Sequence, residues 1–150
     1  MLTPTEVLAL IPQQPPFRFV DTIHEIDDDH IVASYTYRPD EYFYAGHFPG
    51  NPVTPGVVLI ETIAQAGVVA LGLYLAAKSM PHAELRRMVT LFTEAQVEFH
   101  DLVEPGRTVT VRARKILFRL RKLRVEATLH TDDGRLACSG TFAGVGVRRT

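Results

Sequence analysis

The chain has a single cysteine, Cys138, in 150 residues. One thiol cannot close an intrachain disulfide, and no second cysteine is present to make a thiolate metal pair. A reducing, cytoplasmic setting is the simplest reading of that count. Excess charge is also lacking: 16 basic residues meet 17 acidic ones, for a formal net charge of −1. That balance argues against a disordered chain and against nucleic-acid binding. The opening MLTPTEVLALIPQQPP holds no basic n-region and only a short apolar stretch, so no signal peptide is expected. Internal repeats, low-complexity tracts and linkers are missing as well. With 46% hydrophobic residues the chain can build a core without disulfides or metal, and residues 1–150 are expected to form one domain.

What is present falls into a simple order. Thr3 as N-cap, Pro4 in the first turn and Glu6 three residues after the cap predict a short helix over 3–10. The proline-rich IPQQPP ends it. Phe17 to Ile26 and Ile31 to Arg38 read as two strands around the polar turn 27–30; Ile31, Ala33, Tyr35 and Tyr37 alternate with Val32, Ser34 and Thr36. Residues 39–56, with four prolines and three glycines, break all periodicity, and loops of that length in small domains are usually functional.

Val57 to Ala77 then forms one long apolar helix. Its length matches a bilayer span of about 20 residues. However, Glu61 would be costly in lipid, and the strands that follow need a helix to cover, so no membrane span is expected. After a polar connection over 78–87 come strands at Met88 to Phe99, Thr108 to Leu117, Arg119 to His130 and Leu136 to Arg148, with Thr131-Asp132-Asp133-Gly134 as a hairpin turn. The layout is α+β, an antiparallel sheet wrapped on one central helix.

The chemistry is concentrated in one string, Gly46-His47-Phe48-Pro49-Gly50-Asn51-Pro52-Val53-Thr54-Pro55-Gly56-Val57-Val58-Leu59-Ile60-Glu61-Thr62-Ile63-Ala64-Gln65. His47 sits in a rigid Pro/Gly loop. Gly56 opens the helix, whose end offers unpaired N–H groups and a positive dipole that can stabilise an enolate oxygen. Glu61 and Gln65, at i and i+4, share a helix face. An unperturbed histidine is a base near neutrality, and a glutamate on an apolar helix is pushed toward its protonated form. An opposed acid and base suit an elimination of water. The residues alone leave plainer roles open: a surface histidine, an exposed or hydrogen-bonded glutamate, and glycines and prolines that only shape a loop.

The string resembles the signature of the FabZ-type 3-hydroxyacyl-acyl-carrier-protein dehydratases, G-H-F-P-x-x-P-x-x-P-G-V-x-x-x-E-x-x-A-Q. Every fixed position is met, including the fourteen-residue step from His47 to Glu61. Asp40-Glu41-Tyr42-Phe43-Tyr44-Ala45 is similar to the family's lead-in, Phe17-Arg18-Phe19-Val20-Asp21 to its first-strand segment, and Glu104-Pro105-Gly106 to its later turn. The resemblance implies a hotdog fold. It also implies a dimer, often assembled into trimers of dimers, in which one chain supplies the histidine of each site and its partner the carboxylate. On this likeness His47 removes the α-proton and Glu61 serves the departing hydroxyl. Gly56 N–H holds the thioester oxygen, Gln65 supports Glu61, and Phe48, Pro55 and Tyr44 line the substrate site. No metal or redox cofactor is implied.

The chain departs from the family at Gln13-Gln14, where a His-Arg pair is usual, at His100-Asp101-Leu102, where the family has Arg-Arg-Pro, and at Arg107, where it has Asp. These changes leave acyl length and pathway open between fatty-acid synthesis and a specialised product. A hotdog thioesterase and a non-catalytic, carrier-binding hotdog subunit are the competing readings.

From Arg107 to Arg124 there are eight basic residues and no acidic one. This run is either a solvated strand face with edge-protecting charges or, on the resemblance, a dock for the acidic acyl carrier protein through Arg112, Arg114, Arg119, Arg121, Lys122 and Arg124. His24, His30, His82, His100 and His130 show no metal-ligand spacing.

Overall fold

The computed structural model describes residues 1–150. Helix α1 (Pro4–Leu10) starts with the capping box: Thr3 N–H donates to Glu6 Oε2 at 2.7 Å, and Glu6 N–H to Thr3 Oγ1 at 3.3 Å. Six strands follow, β1 (Thr22–Ile26), β2 (His30–Thr36), β3 (Met88–Phe99), β4 (Thr108–Arg119), β5 (Lys122–Thr131) and β6 (Leu136–Arg148). They form one antiparallel sheet in the order β1-β2-β4-β5-β6-β3. Helix α2 (Gly56–Ala76) lies in the concave face, with its centre, Ala64–Ala70, wound as a π-helix. A short α3 (His82–Leu85) sits within the connection read as simply polar.

By length and composition α2 could cross a bilayer, but 72% of its apolar 18-residue window is buried inside the protein. Its neighbours explain why it can be apolar nearly all round. Val58, Leu59, Ile63, Val68 and Leu71 pack with Ile31, Val109, Val111, Val125, Leu129 and Phe142 in one core. At Gly67 the helix backbone comes so close to β4 that a methyl group there would stand 2.9 Å from the Ala113 Cβ. The buried Tyr37 hydroxyl meets Thr62 Oγ1 at 2.6 Å, tying helix to sheet.

Two boundaries differ most from the reading of the sequence. The first strand begins at Thr22 rather than Phe17, because the backbone of 17–19 pairs with a helix side chain. The β4–β5 turn is Leu120-Arg121 rather than Phe118, with φ of 51° and 61°. Positive φ at both central residues is the geometry of a two-residue hairpin that glycine or asparagine normally fills, so no turn signal marked it. A bulge at Ile116 between Lys115 and Leu117 also reverses the face pattern. Beyond it Phe118 packs on the core while Leu117 is exposed.

Candidate active site

The loop 39–55 is built from short turns stitched to the rest of the chain. Val53 N–H donates to the His47 carbonyl at 2.9 Å, and Thr54 N–H to the Val103 carbonyl at 2.9 Å. The Tyr44 hydroxyl meets Thr54 Oγ1 at 2.6 Å. Both residues are buried, so Tyr44 braces the loop from inside, and no open substrate wall forms at it within the chain. The His47–Phe48 peptide bond is cis.

His47 Nδ1 lies 2.9 Å from the Val53 carbonyl oxygen. A carbonyl only accepts, so Nδ1 carries a hydrogen, and in the neutral imidazole Nε2 is the atom with the lone pair. The Phe48 ring stacks on the imidazole, with centroids 4.3 Å apart, and is itself exposed. The site therefore presents a histidine whose tautomer is fixed for accepting a proton.

Glu61 is partly buried on α2, and burial raises its pKa while the Gln65 hydrogen bond opposes that rise. Gln65, 0% exposed, uses its whole amide. Its Nε2 donates to Glu61 Oε1 at 2.9 Å and to the Phe17 carbonyl at 2.8 Å, and its Oε1 accepts Phe19 N–H at 2.7 Å. The side chain thus completes the backbone hydrogen bonding that a neighbouring strand would otherwise supply. It also fixes one Glu61 oxygen, Oε1, and leaves Oε2 without a hydrogen-bond partner in the chain.

A raised carboxyl pKa has a stability consequence with a definite sign. Below the unfolded value both states are protonated; as pH rises through the folded value, the native state loses stability relative to the unfolded one. Glu61→Gln, which keeps an oxygen for Gln65, is therefore expected to raise the Tm near pH 7 and to leave it little changed near pH 4. Thermal unfolding at the two values checks this, and an equal shift at both would contradict it.

At the start of α2, Val58 N–H and Leu59 N–H turn back to the Pro55 carbonyl at 2.9 and 3.2 Å. The Gly56 and Val57 N–H groups donate to nothing in the chain. Pro55 is buried beneath them. Phe99, which the alternating pattern of β3 did not single out, covers this end: a Cβ on Gly56 would lie 3.0 Å from its Cζ. The missing side chain at Gly56 admits the Phe99 ring.

No hydrogen bond or ion pair joins His47 to Glu61 within the chain. Beside the start of α2 lies an unpaired sheet edge, because β3, whose Phe99 covers Gly56, ends the strand order. Leu91, Phe92 and Phe99 on β3 and Val57 on α2 are all exposed, Val57 by 73%.

The departures from the family have their own contacts. Gln14 Nε2 donates to the Ile11 carbonyl at 3.2 Å, and Arg18 donates to the carbonyls of Leu8 and Ile11. These two side chains close the end of α1 in the turn where the family has a basic pair. His100 Nε2 meets Ser139 Oγ at 2.8 Å, and Arg107 pairs with Asp132 at 3.0 Å. No group of histidine, cysteine or carboxylate side chains could hold a metal ion.

The basic run is not one patch. Arg114 pairs with Glu126, and Lys122 and Arg124 share Glu94. Arg107 and Lys115 are also paired. Arg112 stands on the outer sheet face beside Arg114, whereas Arg119 and Arg121 stand at the hairpin tip without ion pairs. Leu120 between them is 85% exposed. The Gly146 N–H bond to Arg121 and the Arg149 N–H bond to Arg87 bring Arg87, Arg148 and Arg149 to the same end of the sheet.

A FabA-like domain matches residues 11–140. The 3-hydroxyacyl-[acyl-carrier-protein] dehydratase FabZ of Clostridium perfringens is 34% identical over 141 residues, covering 93% of this chain and 95% of the relative. The enzyme of the same name from Enterococcus faecalis is 37% identical over 120 residues, 79% of each chain. Among solved structures, the dehydratase heterocomplex ApeI:P from Xenorhabdus doucetiae superposes with a TM-score of 0.75 at 16% identity, over 99% of this chain and 93% of that one. A thioesterase from Haemophilus influenzae gives 0.67 at 15% identity, over 99% and 92%. At those identities the two structures speak for the hotdog fold alone.

Proposed function

From the premise that this chain belongs to the FabA-like family, as a FabZ-type dehydratase, we propose how it eliminates water from a 3-hydroxyacyl thioester on acyl carrier protein in fatty-acid biosynthesis. The geometry that carries the mechanism is a His47 Nε2 left free by the Nδ1 contact to Val53 and a Glu61 carboxyl whose pKa burial raises, with Oε1 held by Gln65 and Oε2 free. His47 Nε2 takes the proton from C2 of the acyl chain. Charge moves to the thioester oxygen, which accepts Gly56 N–H at the positive end of α2. The C3–O bond breaks as Glu61 Oε2 protonates the hydroxyl, water departs, and the C2–C3 double bond forms as the trans-2-enoyl thioester. Returning the proton from imidazolium to glutamate through water restores the site. Phe48 offers its ring as a wall to the substrate beside the imidazole. Neither a metal nor a redox cofactor has a step in this scheme.

We further propose that the site is completed by a second copy of the chain through the open β3 edge. An exposed strand of twelve residues carrying Leu91, Phe92 and Phe99 is a liability in a monomer and a ready interface for a two-fold dimer. In that dimer the histidine of one chain serves the carboxylate of the other. Assembly into trimers of dimers rests on the resemblance alone. A cytoplasmic location accords with the lone buried Cys138 thiol, whose pKa burial pushes up to about 11.

The carrier dock is proposed at the hairpin tip and the neighbouring end of β6, with Arg119, Arg121, Arg148 and Arg149 as its free cations. Arg112, Arg114, Lys122 and Arg124 belong to the wider basic face. The exposed Leu120 at the tip adds an apolar contact beside these cations. Arg121→Glu is expected to raise KM for a carrier-borne substrate about tenfold, with weaker dependence on salt, and to leave KM for the same acyl group on a small cysteamine thiol unchanged. Steady-state kinetics on both substrates measures this. Equal changes on both would remove the dock from the hairpin.

The test of the function as a whole is turnover of a 3-hydroxyacyl-carrier thioester, followed as loss of the mass of water. Release of free thiol without loss of water would instead make the chain a thioesterase. No turnover by the pure protein would favour a carrier-binding subunit that needs another chain.

A further inference from the structure

The loop that carries His47 is anchored to the sheet by a polar network away from the reacting atoms. Tyr35, on β2 and 5% exposed, donates its hydroxyl proton to Glu41 Oε2 at 2.6 Å. The Arg38 guanidinium lies over the same ring, 4.8 Å from its centroid. It also grips Asp21 with two prongs, Nη1 to Oδ2 at 3.0 Å and Nη2 to Oδ1 at 2.9 Å. Asp21 Oδ2 accepts Thr36 N–H at 2.9 Å as well, so the end of β2 and the segment before β1 are held as one piece.

Glu41 opens the turns that lead to the base. Its N–H donates to the Arg38 carbonyl at 3.1 Å, its carbonyl accepts Tyr44 N–H at 3.1 Å, and the Phe43 carbonyl accepts His47 N–H at 3.1 Å. A buried hydroxyl without an acceptor is costly, and burial together with Glu41 raises the Tyr35 pKa, keeping the proton in place. The contact joins β2, which is paired on both sides by β1 and β4, to the irregular loop that carries His47.

We propose that Glu41 is a positioning residue for His47: anchored by Tyr35, with the Arg38–Asp21 pair fixing the ring, it sets the 41–47 turns so that Nε2 stands at reaction distance. The assignment rests on the reading of His47 as the base. Glu41 holds the loop and takes no proton from the substrate.

The test is a double-mutant cycle on the intact enzyme with a carrier-borne substrate. A misplacement of about 1 Å costs about 10²-fold. Tyr35→Phe and Glu41→Ala are each expected to lower kcat by about 10- to 100-fold and to leave KM within about twofold. Glu41→Gln, whose amide oxygen still accepts the Tyr35 hydroxyl, should recover most of the rate. The double variant Tyr35→Phe/Glu41→Ala should be no slower than the slower single, because both remove one contact. Effects that multiply in the double variant, a change confined to KM, or Glu41→Gln no better than Glu41→Ala would each overturn the assignment. If Glu41→Ala folds poorly, Tyr35→Phe and Glu41→Gln still decide, since an unaltered rate in Tyr35→Phe overturns it. Wild-type turnover with unaltered variants overturns this assignment alone, whereas absence of wild-type turnover overturns the dehydratase reading and this one with it.

Discussion

Replacing His47 by alanine is expected to lower kcat/KM for water loss by about 10³-fold, within the range of about 10²- to 10⁴-fold that a positioned general base contributes. The expectation follows from the two ring nitrogens having different tasks. Nδ1 is engaged with the Val53 carbonyl, so only Nε2 is available for the α-proton, and no other titratable side chain hydrogen-bonds or ion-pairs with the ring. Stability should change little, because the lost intrachain hydrogen bond is of a kind worth about 1 kcal/mol. His47→Asn separates the two roles. Its amide N–H can replace Nδ1–H toward Val53, preserving the loop, but it offers no base. It should be as inactive as alanine while melting like the wild type. Activity of His47→Ala within about tenfold of wild type would remove His47 from the proton transfer.

The contrast between local and distant contacts explains what the sequence made legible. His47, Gly56, Glu61 and Gln65 fall within one string of twenty residues, so loop, helix end and i, i+4 spacing could be read directly. The long helix and the later strands follow from their periodicity, and the turn at 131–134 follows from its residues. The further roles of Gln65 and Gly56 were not legible because they depend on folding back. The bonds from Gln65 to Phe17 and Phe19 span 48 and 46 residues, and the Phe99 ring reaches Gly56 from the far end of β3. The hairpin at Leu120-Arg121 was hidden for a different reason, since neither residue type favours positive φ. The docking run shows the same limit in electrostatics. Eight like charges in sequence look like a patch, yet Glu94 and Glu126 from other positions of the sheet pair with Arg114, Lys122 and Arg124. Only Arg112, Arg119 and Arg121 of the run stay free.

Two inactive variants should restore one another. If His47 of one chain works with Glu61 of the next, a dimer of one His47→Ala chain and one Glu61→Gln chain contains one intact site and one site lacking both groups. Random assembly of equal amounts makes about half the dimers mixed, so about one quarter of wild-type activity per chain is expected, from two preparations that are each nearly inert. Gln suits the second variant because it keeps the oxygen that accepts from Gln65 Nε2 while losing the acidic proton. The physical basis is the open β3 edge beside exposed Val57 at the start of α2. Co-expression of differently tagged chains, followed by isolation of the mixed dimers, sharpens the result: those dimers should reach about half of wild-type activity. Mixed dimers as inert as their parents would place both groups of each site in one chain. The β3 interface would then be an assembly contact without a share in the chemistry.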